Sequence, residues 1–451
     1  METIASISTP LGKGAISIVR MSGSGALEVA LKFFSAKNLD EKTVQPRYMY
    51  FGKIKLDDTT FEECLMVYFK APFSFTGEDI VEFQIHGGVL LTQKILDVCL
   101  QNGARLAEAG EFSKRAFLNE KITLDKAEAI IGEINAETEG ELKSSLQITN
   151  GRLAEKILQE QEKLKLLLAE IEVGMDYPDE TDELNLHLNI KNRLVEICQS
   201  IETLLKQAES AKYLKNGINV ALVGKTNVGK SSVMNALLGQ DRAIVTDIQG
   251  TTRDSITESF LHNGIKINLV DTAGIRETKD VVENIGIQKS KESLNTADIV
   301  LFVLDGSEKI QTEDREIFKL IKNKHHIVVV NKIDKSRKLE NFENEIEISA
   351  ATGTNIENLK QKIVNAVIVD ELDQNALVLT NERHVSVLKA AQKTLDEAIT
   401  LENSANKFFE PSLEVVSMLI KKVWQTLGKI TGNTENEDII NLIFSKFCLG
   451  K

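Results

Sequence analysis

The spacing of apolar positions changes character several times along this chain. Through residues 1 to about 118, strand-like and helical runs mix. Ala15–Val19, Leu65–Phe69 and Ile80–Ile85 read as strands, and Leu90–Leu100 as a helix closed by Asn102-Gly103. From 119 to about 213 the spacing is helical. Leu153, Ile157, Leu164, Leu168 and Ile171 share one face, as do Ile190, Leu194, Ile197, Ile201 and Leu204, with Gly174 and Pro178 predicted to break the run between them. From Ile218 onward, short apolar runs alternate with longer amphipathic stretches. INVALVG, INLVDTAG, DIVLFVLD and HIVVVNKID carry the continuous apolar pattern of buried parallel strands. After about residue 375 helical spacing returns, in Val385, Leu388, Leu395 and Ile399 and then in Val416, Leu419, Ile420, Val423 and Leu427.

Two helical blocks around an α/β block predict a multidomain protein, mixed α/β and all-α. An N-terminal α/β domain (1–118) precedes a discontinuous helical domain (119–214 and 376–451), into which a second α/β domain (215–375) is inserted. The length, 451 residues, suits about three domains at ~100–200 residues each. No internal repeat or low-complexity tract interrupts this plan.

Composition narrows the function classes. A net charge of −13 makes the chain a poor general clamp for polyanions, so contact with nucleic acid must be local or shared with a partner. The four cysteines, Cys64, Cys99, Cys198 and Cys448, have neither metal-site spacing nor the density of a disulfide framework, which suits a reducing cytosol. The sequence holds no apolar stretch of ~18 residues. The expectation is a cytoplasmic protein that does not span a membrane.

The inserted block carries the chemistry. Gly224-Lys225-Thr226-Asn227-Val228-Gly229-Lys230-Ser231 fits G-x-x-x-x-G-K-[ST] between the strand Ile218–Val223 and a helix expected to start near Ser231. Glycines allow backbone N–H groups to turn inward on phosphate oxygens, and the helix N-terminus adds a positive dipole. The cradle is Asn227, Val228, Gly229, Lys230, Ser231 and Ser232. Lys230 suits the β- and γ-phosphates, and the Ser231 hydroxyl suits Mg²⁺. ATPases share this motif, so base identity rests elsewhere. Asn331-Lys332-Ile333-Asp334 follows the strand Ile327–Val330, and the Asp334 carboxylate can accept from the paired N–H donors of guanine, which adenine lacks. Ser349-Ala350, after the strand Ile346–Ile348, can offer a backbone N–H to the guanine oxygen. Asp271-Thr272-Ala273-Gly274 closes the strand Ile267–Val270, with Asp271 suited to Mg²⁺ through water and Gly274 to the γ-phosphate. Gly250-Thr251-Thr252-Arg253-Asp254, just after Thr246, Asp247 and Ile248, lies between loop and lid, where the Thr252 hydroxyl would complete the Mg²⁺ shell. The reading is a Ras-like P-loop GTPase domain binding GTP or GDP. Many GTPases place a water-orienting Gln where this chain has Ile275, so hydrolysis needs another group, with Arg276, Glu277 and Glu283 nearby.

Further segments carry a resemblance. Ser74-Phe75-Thr76-Gly77-Glu78-Asp79, His86-Gly87-Gly88, Gly110-Glu111-Phe112-Ser113, Arg115-Ala116-Phe117-Leu118-Asn119 and the final Cys448-Leu449-Gly450-Lys451 join the guanine motifs. With them, essentially the whole chain resembles the MnmE (TrmE) family of tRNA modification GTPases. The resemblance implies a homodimer that works with an FAD-dependent partner, MnmG, in a heterotetramer. Together they would install an aminomethyl or carboxymethylaminomethyl group on C5 of the wobble uridine of certain tRNAs. It implies a 5-formyltetrahydrofolate site in the N-terminal domain at Arg20, Glu82, Lys121 and Lys451. It also implies K⁺-dependent hydrolysis on G-domain dimerisation, with K⁺ held by Asn227 and by the Thr246, Ile248 and Thr251 carbonyls, Glu283 orienting water, and Arg276 in the same switch region. Cys448 is a candidate for direct chemistry beside Lys451. The family commonly has proline where this chain has Thr226, which makes the loop less rigid. An RNA-binding, ribosome-assembly GTPase switch is the alternative, but no basic RNA-binding domain is visible in this sequence.

Overall fold

A computed structural model describes residues 2–37, 39–177, 183–239, 257–271, 297–342, 344–367, 377–404, 411–447 and Gly450. The chain divides into two compact units. One comprises Met1–Asn135, Ser145–Gln199 and Ser386–Lys451, and the other Ala136–Ser144 and Ser200–Val385.

The first unit opens with β1 (Ile4–Ile7), β2 (Ile16–Ser22), α1 (Ala26–Phe33), β3 (Phe34–Ala36), β4 (Met49–Lys55), β5 (Phe61–Phe69), β6 (Ile80–His86), α2 (Val89–Gln101) and β7 (Arg105–Leu106). The strands form a seven-stranded sheet in the order β3-β4-β5-β6-β2-β1-β7. Only the β1–β7 pairing among them is parallel. The alternation of side chains along a strand decides what each face carries. Val19 and Met21 of β2 and Val81, Phe83 and Ile85 of β6 are buried in one cluster with Ala30 and Phe33 of α1 and Ile95 and Cys99 of α2. The opposite parity sends Arg20 and Glu82 to the other face, and a one-residue slip would exchange the two sets. The predicted stop of α2 holds, with Asn102 as C-cap and Gly103 at φ +117°.

Helices follow: α3 (Glu111–Leu118), α4 (Leu124–Asn135), α5 (Glu139–Thr149), α6 (Arg152–Asp176) and α7 (Glu183–Asn216). In α6 the fully buried positions are Leu153, Ile157, Leu164, Leu167 and Ile171. The inward residue is therefore Leu167, with Leu168 only half-buried, a correction of one position that follows from how far the helical face drifts over seven turns. Gly174 is also corrected. It does not break the helix but sits buried inside α6, where lack of a side chain permits close packing; Pro178 lies outside the described residues.

The second unit holds β8 (Ile218–Val223), α8 (Lys230–Leu238), β9 (Thr257–His262), β10 (Ile265–Asp271), β11 (Ile299–Asp305), α9 (Thr312–Ile321), β12 (His326–Asn331), β13 (Glu345–Glu347) and α10 (Ile356–Val367). Its six-stranded sheet runs β13-β12-β11-β8-β10-β9, parallel except for the β9–β10 hairpin. Every residue of β11 is buried, as expected for a strand covered on both faces. Val233 and Leu237 of α8 and Leu359 and Ile363 of α10 lie in one core cluster, and Ile321 of α9 with Phe302 in another. β8 lies between β10 and β11, so the chain leaves it first toward one edge and later toward the other. The crevice at such a reversal is where open α/β sheets bind ligands. The first helix starts at Lys230, not Ser231, and β13 sits one residue earlier than expected; both differences are within end fraying. The chain then returns to the first unit with α11 (Glu382–Asn403), α12 (Leu413–Thr431) and α13 (Glu437–Phe444), where Leu388, Leu395, Val416, Ile420, Val423 and Leu427 are buried.

Candidate functional site

The loop after β8 follows the predicted path. Gly224, Asn227 and Gly229 take φ values of +156°, +63° and +95°. Close approach makes glycine necessary at two of them. A Cβ on Gly224 would lie 2.3 Å from the Val303 carbonyl oxygen, and one on Gly229 would lie 2.4 Å from Asn331 Nδ2. The Lys230 ammonium donates to the Gly224 and Lys225 carbonyls at 2.6 and 2.8 Å, so it lies across the mouth of its own loop. Ser231 and Ser232, in the first turn of α8, are exposed.

The loops after β12 and β13 meet this one. Asn331 is buried and donates through Nδ2 to the Val228 carbonyl at 3.0 Å. Its Oδ1 accepts from the Ala350 backbone N–H at 3.1 Å. Lys332 takes φ +66° and donates to the Asn227 carbonyl at 2.8 Å and to Asp305 Oδ2 at 2.6 Å. Asp334 is exposed, and its Oδ1 accepts from the Ser349 hydroxyl at 2.7 Å. That hydroxyl, with the residue's own backbone N–H and two lysines, holds the Asp334 carboxyl below the usual carboxylate range, so it is ionised and acceptor-only. Asp271 ends β10 beside Leu222 of β8, at the same edge of the sheet. A glycine loop for phosphates thus joins a fixed carboxylate suited to a base with two adjacent N–H donors.

Several predicted positions lie outside the described residues: Thr246, Asp247, Ile248, Gly250, Thr251, Thr252, Thr272, Ala273, Gly274, Arg276, Glu283, Cys448 and Lys451, together with the Asp271 side chain.

In the N-terminal sheet, Arg20 and Glu82 are register partners, and Arg20 Nε donates to Glu82 Oε1 at 2.7 Å. The Arg20 guanidinium lies 5.9 Å from the centre of the buried Phe112 ring. Lys121 is exposed, and its stem passes where a Cβ on Gly77 would stand, about 3.2 Å away. Gly450 rests against the end of β1. Ser8 Oγ donates to the Gly450 carbonyl at 3.3 Å, and a Cβ on Gly450, at φ +95°, would lie 2.2 Å from the Ile7 carbonyl oxygen.

Sequence reasoning did not foresee what the signature segments do beneath this pair. Glu78 accepts from Ser22 at 2.8 Å and from Arg115 at 2.9 Å. Arg115 also bonds Glu111, which receives two bonds from Arg105. Burial works against the Glu111 charge, but Arg105, the Glu108 N–H and Arg115 outweigh it and hold its pKa at about 2. The Cys64 and Cys99 thiols are buried, and burial pushes both up to about 12, so they pack in the core and do not react.

The second unit is that of a P-loop protein that binds guanine nucleotides at the switch point of its sheet. Comparison with known proteins extends this to the whole chain. Residues 3–121 match the family described as the GTP-binding protein TrmE N-terminus, and residues 124–448 match the MnmE helical domain family. The tRNA modification GTPase MnmE of Clostridioides difficile (strain 630) is 42% identical, covering 100% of this chain and 99% of its own. That of Aquifex aeolicus (strain VF5) is 41% identical and covers 100% of both. The G domain of the T. maritima FeoB iron transporter is similar over 33% of this chain and 98% of its own, at 27% identity and a TM-score of 0.26. The chain belongs to the MnmE family of tRNA modification GTPases. It is a GTPase that combines a TrmE N-terminal domain, an MnmE helical domain and a P-loop domain. Among the described residues, no helix is long and apolar enough to cross a membrane.

Proposed function

We propose that this chain couples GTP hydrolysis to modification of C5 of the wobble uridine of certain tRNAs, adding an aminomethyl or carboxymethylaminomethyl group. It acts as a homodimer with the FAD-dependent partner MnmG, in a cytoplasmic heterotetramer. The observation that carries this reading is the alignment of MnmE relatives along the entire chain, including the N-terminal sheet and the tail, which a GTP switch does not need. The domains run 1–118, 119–214 with 376–451, and 215–375.

In the nucleotide site, the backbone of Asn227–Ser232 and Lys230 hold the phosphates. The donor chemistry suits Mg²⁺ at the Ser231 and Thr252 hydroxyls. It suits K⁺ at the Asn227 amide oxygen with the Thr246, Ile248 and Thr251 carbonyls. Those residues would hold the two cations, which would supply positive charge where negative charge develops between the phosphates. Glu283 orients the attacking water, a task open to it because Ile275 has no hydrogen-bonding group. Asp334 and the Ala350 region select guanine.

In the N-terminal sheet, 5-formyltetrahydrofolate is held by Arg20, Glu82, Lys121 and Lys451. The chemistry of the donor set fits this ligand. A carboxylate suits the adjacent amide and amino donors of a pterin, and cations suit the folate carboxylates. The Arg20–Glu82 bond supports this reading, because it brings the carboxylate and one of the cations together on one face of the sheet.

Calorimetric titration of the purified chain with 5-formyltetrahydrofolate is expected to show stoichiometric binding. An absence of heat would remove the folate site. GTP turnover is expected to rise about tenfold or more in K⁺ over Na⁺, and Glu283→Ala to lower kcat about 10²-fold with little change in GTP affinity. Equal rates in the two salts, or unchanged turnover in the variant, would overturn the hydrolytic part.

A further inference from the structure

The phosphate loop contains a second lysine with a different neighbourhood. Lys225 follows the first glycine of the loop, yet its side chain is buried. Its ammonium points away from the mouth of the loop and into the connection between β11 and α9. There it donates to Glu308 Oε2 at 2.8 Å and lies 3.6 Å from Asp314 Oδ2. Asp314 is buried, sits in the first turn of α9, and accepts from the Gln311 backbone N–H at 3.0 Å. Its second oxygen, Oδ1, accepts no hydrogen bond from a described residue. Burial works against the Lys225 ammonium, but the two carboxylates outweigh it and hold its pKa above the ordinary lysine value. Lys225 is therefore charged and committed inward.

The same connection holds the other half of the nucleotide site. Asp305, at the end of β11, accepts from Lys332 at 2.6 Å and from the Ser307 N–H and hydroxyl at 2.9 and 2.7 Å. The Gly306 N–H donates to the Asn331 carbonyl at 2.8 Å. This stretch carries none of the guanine motifs, yet its carboxylates hold one lysine from the phosphate loop and one from the base loop.

We propose that Lys225, clamped by Glu308 and Asp314, is a positioning residue that holds the phosphate loop in its nucleotide-ready shape before nucleotide arrives. Thr226, the next residue of the loop, does not fix its own φ as a proline would, so stiffness at this turn must come from elsewhere. An ion pair between a buried lysine and a buried aspartate fixes the turn from below. A loop already ordered loses less entropy on binding, and the gain appears as affinity for any nucleotide that carries the phosphates. The clamp does not touch the base, so it leaves base selectivity alone.

The test uses the full-length chain, with Kd values for GDP and IDP. The hypoxanthine base lacks the 2-amino group, so the GDP-to-IDP ratio reads the base site by itself. Lys225→Met is expected to weaken both nucleotides about tenfold and to leave that ratio unchanged, with Lys225→Arg recovering most of the loss. Glu308 is half-exposed, so Glu308→Gln is the milder variant and should fold in any case. It is expected to cost about twofold alone and nothing further when Lys225 is already Met, since two groups that act as one unit are not additive. Wild-type GDP affinity in Lys225→Met would overturn the proposal. So would a parallel fall in the GDP-to-IDP ratio, or full additivity of the two changes. Guanine binding by the unmodified chain is measured in the same series, so failure of the clamp is separable from failure of the nucleotide site.

Discussion

The nucleotide loops and the Arg20–Glu82 pair are built on opposite principles. The nucleotide site is made of backbone: carbonyls, N–H groups and left-handed turns at the ends of parallel strands, with side chains such as Asn331 serving to tie loops together. The N-terminal pair is made of side chains that face each other across neighbouring strands, 62 positions apart in sequence, on the face of the sheet opposite α1 and α2. Backbone sites are written as local motifs, because a turn is set by the residues that form it. Side-chain sites are written in the register of a sheet, and register is not visible in any short segment. The two sites should therefore respond to substitution independently.

The largest expected effect is at the base. Asp334→Asn removes the acceptor pair for guanine, and calorimetry should show GTP affinity falling about 10²-fold or more, with xanthosine nucleotides preferred. Retained guanine preference would mean that Asp334 is not the selector. Next, Arg20→Met is expected to reduce 5-formyltetrahydrofolate affinity about 10–100-fold by freeing Glu82 from its partner. GDP affinity should stay unchanged; a fall in GDP binding would show that the two sites are not independent. Gly450→Ala forces a Cβ against the Ile7 carbonyl at a positive φ, a conformation that costs about 1–2 kcal/mol for a residue with a side chain. Folate affinity should drop several-fold, again with GDP binding intact, measured in the same titrations.

The smallest effect concerns pH. Asp334 has a lowered pKa, so its charged form is present above that value and is lost only as pH falls through it. GTP affinity should be flat from about pH 8 to pH 5 and decline below the ordinary carboxylate range. A decline already near neutrality would point to a different titrating group.

The second unit was the more legible of the two in sequence. Strands such as β11 are buried on both faces, so their apolar runs are continuous and stand out. The N-terminal strands are mostly antiparallel, with polar residues such as Arg20 and Glu82 on the face away from α1 and α2, and β3 and β7 have only three and two residues, too short for alternation to register. β9 could have been found. His262-Asn263-Gly264-Ile265 is a hairpin signal, and Asn263 and Gly264 both take the positive φ that a tight strand connection requires. Glu111 and Arg115 are an i,i+4 pair and could have been read, but the Glu78–Arg115 link and the Lys225 clamp could not, because their partners meet only after folding. Lys225 and Glu308 are 83 positions apart. What the resemblance contributed was the choice of Arg20 and Glu82 from among ordinary surface charges, and the register then brought them together.

The Asn331 carboxamide has one more consequence. A single planar group spans Val228 on one side and Ala350 on the other, so rotating it to suit one neighbour abandons the other. The phosphate loop and the base loop are thus pinned to one group. Losing that carboxamide would release both loops at once, whereas losing the lysine beneath the phosphate loop would release only one.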